Sequence, residues 1–410
     1  IRSAEMATDH GVCWDAVPAQ PGSHSNDLYA GGAGVVLFLL ELHAASGDSE
    51  ALAAATAGAD HLLASIPTHT SGADPGLYTG IAGIGYVLLE AGRLTGDARY
   101  TAGAGRCVTL LGELARPVGA GVEWNGVTDI VSGSAGVGLF LLRAEDELGL
   151  EDARELASSA GQRLVETSSP TAAGLQWRLA QSDPRVYPNF SHGTAGVSFF
   201  LARLYRHTGD ERMLDAAIAG ANHLCATADT SNGGCLIHHH EPGGEDLYYR
   251  GWCHGPVGTA RLFLLLHQLT GEPRWLEWVR RAARSVRGGG VPGPTVSGYW
   301  NNVGQCCGSA GVAQFLLEVY RLDNNPADLD LCRRVAADLL GRATTAAGGL
   351  AWVQAEHRAR PELLVAQTGY MQGAAGIGML FLRLDGFAQG RPPAIVLPDD
   401  PWAEALRVER

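Results

Sequence analysis

Seven times along the chain, a glycine, any residue, a small residue and a second glycine stand directly ahead of an apolar run. The phrases are GGAG at 31–34, GIAG at 80–83, GSAG at 133–136, GTAG at 193–196, GPVG at 255–258, GSAG at 308–311 and GAAG at 373–376. Their first glycines are 49 to 65 residues apart. The runs that follow, such as VVLFLLEL, VGLFLLRAEDEL and VAQFLLEVYRL, are apolar nearly all round, the pattern of a buried helix. Glycine lacks a Cβ and suits a helix start where backbones crowd. A stop-and-start signal then recurs in LTGDARY, HTGDERML and LTGEPRWL. Its glycine supplies a left-handed cap, and Asp48, Asp97 or Asp210 can cap the next helix. That next helix is amphipathic, as in RMLDAAIAGANHLC. Each repeat therefore reads as a buried helix, a tight turn and a surface helix. Gly-rich connections carrying an aromatic (GVEWNG, GLQWRLAQ, GGLAWVQAEH) predict short β-hairpins.

Seven helix pairs form either an open α-solenoid or a closed ring. Near-uniform apolarity of the first helix favours closure, because an open solenoid leaves one face to solvent. The expected fold is all-α: a single α/α toroid of seven helix-pair repeats over residues 1–410, with short hairpin loops at one rim. In that arrangement the residues ahead of each buried helix share one end of the central hole.

Read around the ring, the residue before each first glycine is Ala30, Thr79, Ser132, His192, His254, Cys307 and Gln372. Two before, it is Tyr29, Tyr78, Val131, Ser191, Cys253, Cys306 and Met371. Repeats one, two and seven place ordinary residues there. Repeats four to six place His192, Cys253, His254, Cys306 and Cys307, five soft or imidazole groups converging on one rim. Thiolates and imidazole without a carboxylate cluster point to Zn²⁺, with three protein ligands and an open position as the catalytic arrangement. A vicinal Cys306–Cys307 disulfide is a strained alternative. Cys13, Cys107, Cys225, Cys235 and Cys332 lie outside the register and read as small hydrophobes. The HHH tract at 238–240 sits in a Gly/Pro-rich stretch and reads as solvated loop. Asp27 stands in repeat one where Asp129 stands in repeat three, and reads as structural.

Composition narrows the function. Hydrophobic content of 46% against 18% charged is globular. A net charge of −13 argues against nucleic acid or an anionic membrane as partner. No apolar run reaches the length of a membrane span, and no signal peptide is apparent. Eight cysteines in 410 residues are not a disulfide scaffold, so a reducing cytoplasm is expected. A chain that begins at Ile1 reads as a trimmed one or as the C-terminal domain of a longer protein.

The seven repeats, together with GWCHG at 251–255, CCG at 306–308 and SHG at 191–193, resemble the LanC-like cyclases of lanthipeptide biosynthesis over nearly the whole chain. The resemblance implies an α/α toroid and zinc held by Cys253, Cys306 and Cys307, with Cys307 where His is more common. The Cys-Cys-Gly form resembles the cyclase domain of class IV synthetases and of some class II enzymes. In class IV proteins this domain follows lyase and kinase-like domains, so these are expected in the same polypeptide. His192 matches the family's catalytic histidine, Asp129 in TDIVSGSAG its aspartate, and Arg250 in YYRGWCHG its arginine, at a spacing one residue short. His254 stands where Tyr is frequent, beside the metal rather than on it, and joins the catalytic set.

The implied reaction adds cysteine thiolates to dehydroalanine or dehydrobutyrine in a dehydrated precursor peptide, forming lanthionine or methyllanthionine. On this reading Asp129 and Arg250 flank His192 and tune its imidazole. The alternatives are a non-catalytic zinc and thiol-binding scaffold, or a prenyltransferase-like thiol-alkylating enzyme. A glycosidase would need two facing carboxylates, and only Asp27 and Asp129 stand in register.

Overall fold

A computed structural model describes residues 1–293, 302–346, 348–355, 360 and 362–403. Seven buried helices follow the seven glycine phrases: α1 (Gly32–Ser46), α3 (Ile81–Thr95), α5 (Ser134–Leu148), α7 (Thr194–Thr208), α9 (Pro256–Thr270), α11 (Ser309–Asp323) and α13 (Ala374–Ala388). Between them run the outer helices α2 (Ser49–Ser65), α4 (Ala98–Leu114), α6 (Glu151–Glu166), α8 (Glu211–Thr227), α10 (Pro273–Arg287) and α12 (Pro326–Arg342). The stop-and-start signal acts as expected. Gly96 ends α3 at φ 73°, a left-handed conformation that costs glycine nothing, and the Asp97 carboxylate accepts the Arg99 N–H at the start of α4. Asp48 and Asp210 cap α2 and α8 in the same way. In repeat six, Asn324 takes the left-handed place at φ 53°.

The ring is closed, and its closure can be traced bond by bond. The Tyr29 N–H donates to the Tyr78 carbonyl at 2.9 Å, Tyr78 to Val131 at 2.9 Å, Ile130 to Ser191 at 3.3 Å and Ser191 to Cys253 at 3.0 Å. Trp252 then donates to Cys306 at 2.7 Å, Cys306 to Met371 at 2.9 Å, and Met371 back to Tyr29 at 2.8 Å. These are the rim positions read from the sequence, with Ile130 and Trp252, the residues just before Val131 and Cys253, completing one cycle of backbone hydrogen bonds through all seven repeats. An open solenoid has no bond from repeat seven to repeat one. The second glycine of each phrase packs under this cycle. A Cβ on Gly258 would lie 1.9 Å from the Trp252 carbonyl oxygen, so only glycine lets α9 start beneath its own rim loop.

The anticipated hairpins form. The chain opens with β1 (Glu5–Thr8) paired antiparallel to β2 (Gly11–Trp14), which the repeat pattern does not signal. Later come β3 (Arg116–Val118) with β4 (Gly121–Glu123), β5 (Ser169–Pro170) with β6 (Leu175–Gln176), β7 (Thr344–Ala346) with β8 (Gly349–Ala351), and β9 (Val353–Ala355) with β10 (Leu364–Ala366). The last two residues of GGLAWVQAEH, Glu356 and His357, lie outside the described residues. The aromatics in these connections have one job. The indole N–H groups of Trp124, Trp177 and Trp352 donate at 2.7–2.9 Å to Leu111, Leu164 and Leu339, each in the last turn of the preceding outer helix. Each hairpin is thereby pinned to the end of the outer helix before it, through a carbonyl in that helix's last turn.

Repeat seven differs from the other six. Among the described residues α13 is followed by an extended strap, residues 391–402, rather than by an outer helix. Its backbone is held by inner helices from around the ring. Glu41 of α1 accepts the Ile395 N–H at 2.7 Å, and Tyr86 of α3 donates to the Val396 carbonyl at 2.8 Å. Arg203 of α7 and Gln268 of α9 donate to the carbonyls of Asp400 and Pro401. Ile395, Asp399 and Trp402 are buried. The strap fills the central hole from the end opposite the rim, and Asp399 reaches the underside of the rim, where it accepts the Trp252 Nε1–H at 3.0 Å and the Tyr78 hydroxyl at 3.1 Å. The inner helices are apolar nearly all round because outer helices cover one side and the strap and neighbouring inner helices the other.

Candidate active site and metal centre

The rim cycle fixes where the chemistry sits. The loop ahead of α9 carries Cys253 and the loop ahead of α11 carries Cys306 and Cys307. Because the N–H groups of Trp252 and Cys253 both donate to the Cys306 carbonyl, at 2.7 and 3.3 Å, the two loops are locked together. The three sulfurs all lie within 4.8 Å of one another. Sγ of Cys253 is 2.7 Å from that of Cys307, which is 3.4 Å from that of Cys306. Both separations exceed the S–S bond length of about 2.05 Å, and all eight cysteines are free. The vicinal disulfide is therefore not formed.

Cys253 and Cys306 are buried, and Cys307 is partly so. Burial raises the Cys253 thiol pKa well above its ordinary value. Cys306 is held well below its own, first by hydrogen bonds from Cys253 and Cys307. Cys307 is raised, because its hydrogen bonds go to the other two sulfurs. Three sulfurs within 4.8 Å of one another make a donor set that a soft cation would complete. Tetrahedral zinc, about 2.3 Å from each sulfur, separates ligand sulfurs by roughly 3.8 Å, so the triad need only spread slightly to take it. The donors present fit zinc. The cysteines outside the register behave as small hydrophobes: burial pushes Cys107, Cys225 and Cys332 up to about 12.

Next around the rim stands His192, ahead of α7. Its Nδ1 meets Asp129 Oδ2 at 2.6 Å. Burial disfavours the imidazolium, but the hydrogen bond and charge of Asp129, with the charge of Cys306, outweigh it and hold the His192 pKa above its ordinary value. Asp129 is buried and also accepts the Ser132 N–H on Oδ1 at 2.8 Å. One carboxylate therefore does both things its position suggests, capping its own loop and fixing the imidazole. Asp27 has the first role alone: Oδ1 accepts the N–H groups of Ala30 and Gly31 at 2.7 and 3.2 Å, as its structural reading anticipates.

His254 is buried with its ring 5.5 Å from that of His192. Its pKa lies well below the ordinary value, first through burial and then through the imidazoles of His239, His192 and His240, and its Nδ1 has no partner. The HHH tract is not solvated loop. His239 stacks on His254 with centroids 3.8 Å apart, His240 lies against Tyr187, and Asn189 ties down the His238 carbonyl at 2.8 Å. A Gly/Pro-rich composition marks a loop, and here the loop folds back onto the rim.

Among the described residues no hydrogen bond or ion pair joins Arg250 to His192. Its Nε lies against Gly289, where an added Cβ would sit 2.2 Å from it. Burial alone lowers its pKa, and Nε and one terminal nitrogen have no partner. Repeats one and seven, in contrast, are not bystanders. The Gln372 side chain donates to the Tyr29 hydroxyl at 2.8 Å, and Tyr29 lines the same cavity, ≈ 260 Å³, as Asp27, Thr79, His192, Cys253 and Cys306. Their only sequence signal is register: Tyr29 and Gln372 stand where Cys306 and Cys307 stand in repeat six.

Residues 22–389 match the family described as Lanthionine synthetase C-like protein. The chain belongs to that family. Among solved structures this lanthionine synthetase C-like chain is similar to nisin cyclase, with a TM-score of 0.66 and 17% identity over 93% of this chain and 91% of the other. It is also similar to an unsaturated glucuronyl hydrolase specific for heparin, with a TM-score of 0.52 and 11% identity over 88% and 97%. At these identities the likeness is one of fold, the α/α toroid. No curated protein sequence matches the chain significantly. Among the described residues no helix is long and apolar enough to cross a membrane.

Proposed function

We propose that this chain closes thioether rings in a dehydrated precursor peptide, as a zinc-dependent lanthipeptide cyclase. The observation that carries the reading is that Cys253, Cys306 and the Asp129-anchored His192 open on one cavity. Zinc held by Cys253, Cys306 and Cys307 would supply an open fourth position and the Lewis acidity that lowers a substrate thiol's pKa from about 8.5. The rest falls to the chain. The peptide's cysteine thiol gives up its proton to solvent, and the sulfur bonds to Cβ of dehydroalanine or dehydrobutyrine. The π pair moves to the carbonyl as an enolate, and a proton added at Cα completes lanthionine or methyllanthionine. Asp129 occupies His192 Nδ1, so Nε2–H is the proton left to give, and its raised pKa keeps that proton available near neutral pH. His254, held neutral, walls the site beside it without competing as an acid.

The Cys306–Cys307–Gly308 form supports the finer placement in class IV, with lyase and kinase-like domains in the same polypeptide. Eight free thiols support a reducing, cytoplasmic setting. A glycosidase role gains no support from the toroid, because Asp27 is committed to its own loop and Asp129 to His192.

Ring closure leaves peptide mass unchanged, so the test counts free thiols by alkylation after incubation with a dehydrated, cysteine-containing peptide. Thiols should disappear with the parent protein. His192→Asn should retain zinc yet slow the loss by about 10²–10⁴-fold. Peptide that is bound but keeps its thiols would identify a scaffold instead.

A further inference from the structure

A buried side-chain network runs from repeat six through repeat seven to repeat one, and its direction is fixed by backbone donors. The N–H groups of Val303 and Gly304 both donate to Gln354 Oε1, at 3.0 and 3.2 Å. A backbone N–H can only donate, so that atom is the amide oxygen, and the Gln354 NH₂ faces the other way. It donates to the Gln372 carbonyl at 2.6 Å and to Gln372 Oε1 at 2.9 Å. Asn302, whose oxygen takes the Gly304 N–H, adds a second donor to Gln372 Oε1 at 3.4 Å. The Gln372 NH₂ is thereby turned toward Tyr29, and its Nε2 donates to the phenolic oxygen at 2.8 Å. Gln354, Gln372 and Asn302 are all buried.

With a lone pair of Tyr29 committed to Gln372, its hydroxyl hydrogen must find another acceptor. Tyr29 and Cys306 line the same cavity, and the Tyr29 backbone closes the same rim cycle as Cys306, through Met371. We propose that Tyr29 is a positioning residue for the metal centre: its O–H, aimed by the Gln354–Gln372 relay, donates to the sulfur of Cys306 when the metal is bound. Resting on the reading that the three cysteines hold zinc, this deepens it. A hydrogen bond to one ligand sulfur withdraws electron density from it, so that three thiolates leave more positive charge on the metal for an incoming thiol.

The experiment loads parent, Tyr29→Phe and Gln372→Glu with Zn²⁺ or Co²⁺ and needs no peptide. Tyr29→Phe removes only the hydroxyl. Gln372→Glu keeps acceptors for Gln354 and Asn302 but draws the Tyr29 O–H to the new carboxylate and away from sulfur. Each variant should bind as much metal as the parent. In each, the sulfur-to-cobalt charge-transfer band should move to lower energy. Alkylation of the zinc-bound thiolates by iodoacetamide should run roughly threefold to tenfold faster, the effect of one lost hydrogen bond. A merely structural tyrosine would leave both readouts alone. Full metal binding with the parent's band position and alkylation rate in Tyr29→Phe overturns the proposal, and the Gln372→Glu readouts decide the matter if Tyr29→Phe does not fold. Failure of the parent itself to take up metal would overturn the zinc reading, a separate and distinguishable result.

Discussion

Asp129 and His192 are joined through Oδ2 and Nδ1 at 2.6 Å, while Oδ1 of the same carboxylate caps the loop at Ser132. The imidazole's raised pKa comes from this contact against the opposing effect of burial. A group raised in this way stays protonated to higher pH, and its contribution fades as pH rises through the raised value. Asp129→Asn keeps a cap acceptor but removes the charge, so the His192 pKa should fall. The high-pH limb of the cyclisation profile should move to lower pH, and the rate at pH 8 should drop by about 10-fold or more. Fold stability should change the same way: the stabilisation His192 gives below its ordinary pKa should be largely lost in the variant. Superimposable profiles over pH 5–9 would show that Asp129 does not sense the imidazole.

The three sulfurs are predicted to act as one ligand set. Cys253→Ala, Cys306→Ala and Cys307→Ala should each lose most of the roughly one zinc per chain, with affinity reduced by more than about 100-fold, since even partners outside the ligand shell are worth up to that much. Helical content should persist, because the rim cycle through Cys253 and Cys306 is made by backbone groups that alanine keeps. Full zinc in any one variant would remove that residue from the ligand set.

Arg250 offers a contrast to Asp129 that a pH profile can read. The sequence places both near His192, but only Asp129 acts on it. Arg250→Met keeps the apolar stem and removes two buried donors without partners. Its pH profile should therefore keep the parent's shape, and its stability should stay within about 1 kcal/mol of the parent's or rise. A profile displaced toward higher pH would mean that the guanidinium does reach the imidazole in the working enzyme.

The toroid was legible because its steric demand is written into the chain once per repeat. A helix start at which a Cβ would lie 1.9 Å from its own loop carbonyl oxygen, as at Gly258, admits only glycine, so the repeat shows as a phrase. The sulfurs and His192 were legible because they are unusual types at that phrase. Tyr29 and Gln372 occupy the same register but are common residues, and what they do depends on the direction of a hydrogen-bond chain that no residue type announces. His239 was hidden by its Gly/Pro-rich surroundings, which mark a loop but not where it folds. The strap was hidden for another reason. Its contacts, such as Glu41 with Ile395, pair single residues at opposite ends of the sequence with no repeat to mark them.

That strap yields the last prediction. Asp399 is fully buried and its carboxylate is met by three donors: the indole N–H of Trp252 at 3.0 Å, the hydroxyl of Tyr78 at 3.1 Å and Arg261 Nη1 at 3.5 Å. Asparagine is nearly the same shape but would turn an NH₂ toward one of these donors, leaving a buried group unsatisfied. Asp399→Asn should therefore cost about 1–3 kcal/mol. Asp399→Ala keeps the backbone carbonyl that the Arg261 guanidinium meets at 2.8 Å but removes its carboxylate partner, and the Arg261 side chain is only 12% exposed. Breaking a buried pair from one side costs more, about 3–5 kcal/mol. Urea unfolding should rank the parent above Asn and Asn above Ala. Because Trp252 adjoins Cys253, zinc should also leave the Ala variant faster in the presence of a chelator. Equal midpoints for all three proteins would mean that the strap lies in the hole without holding the rim.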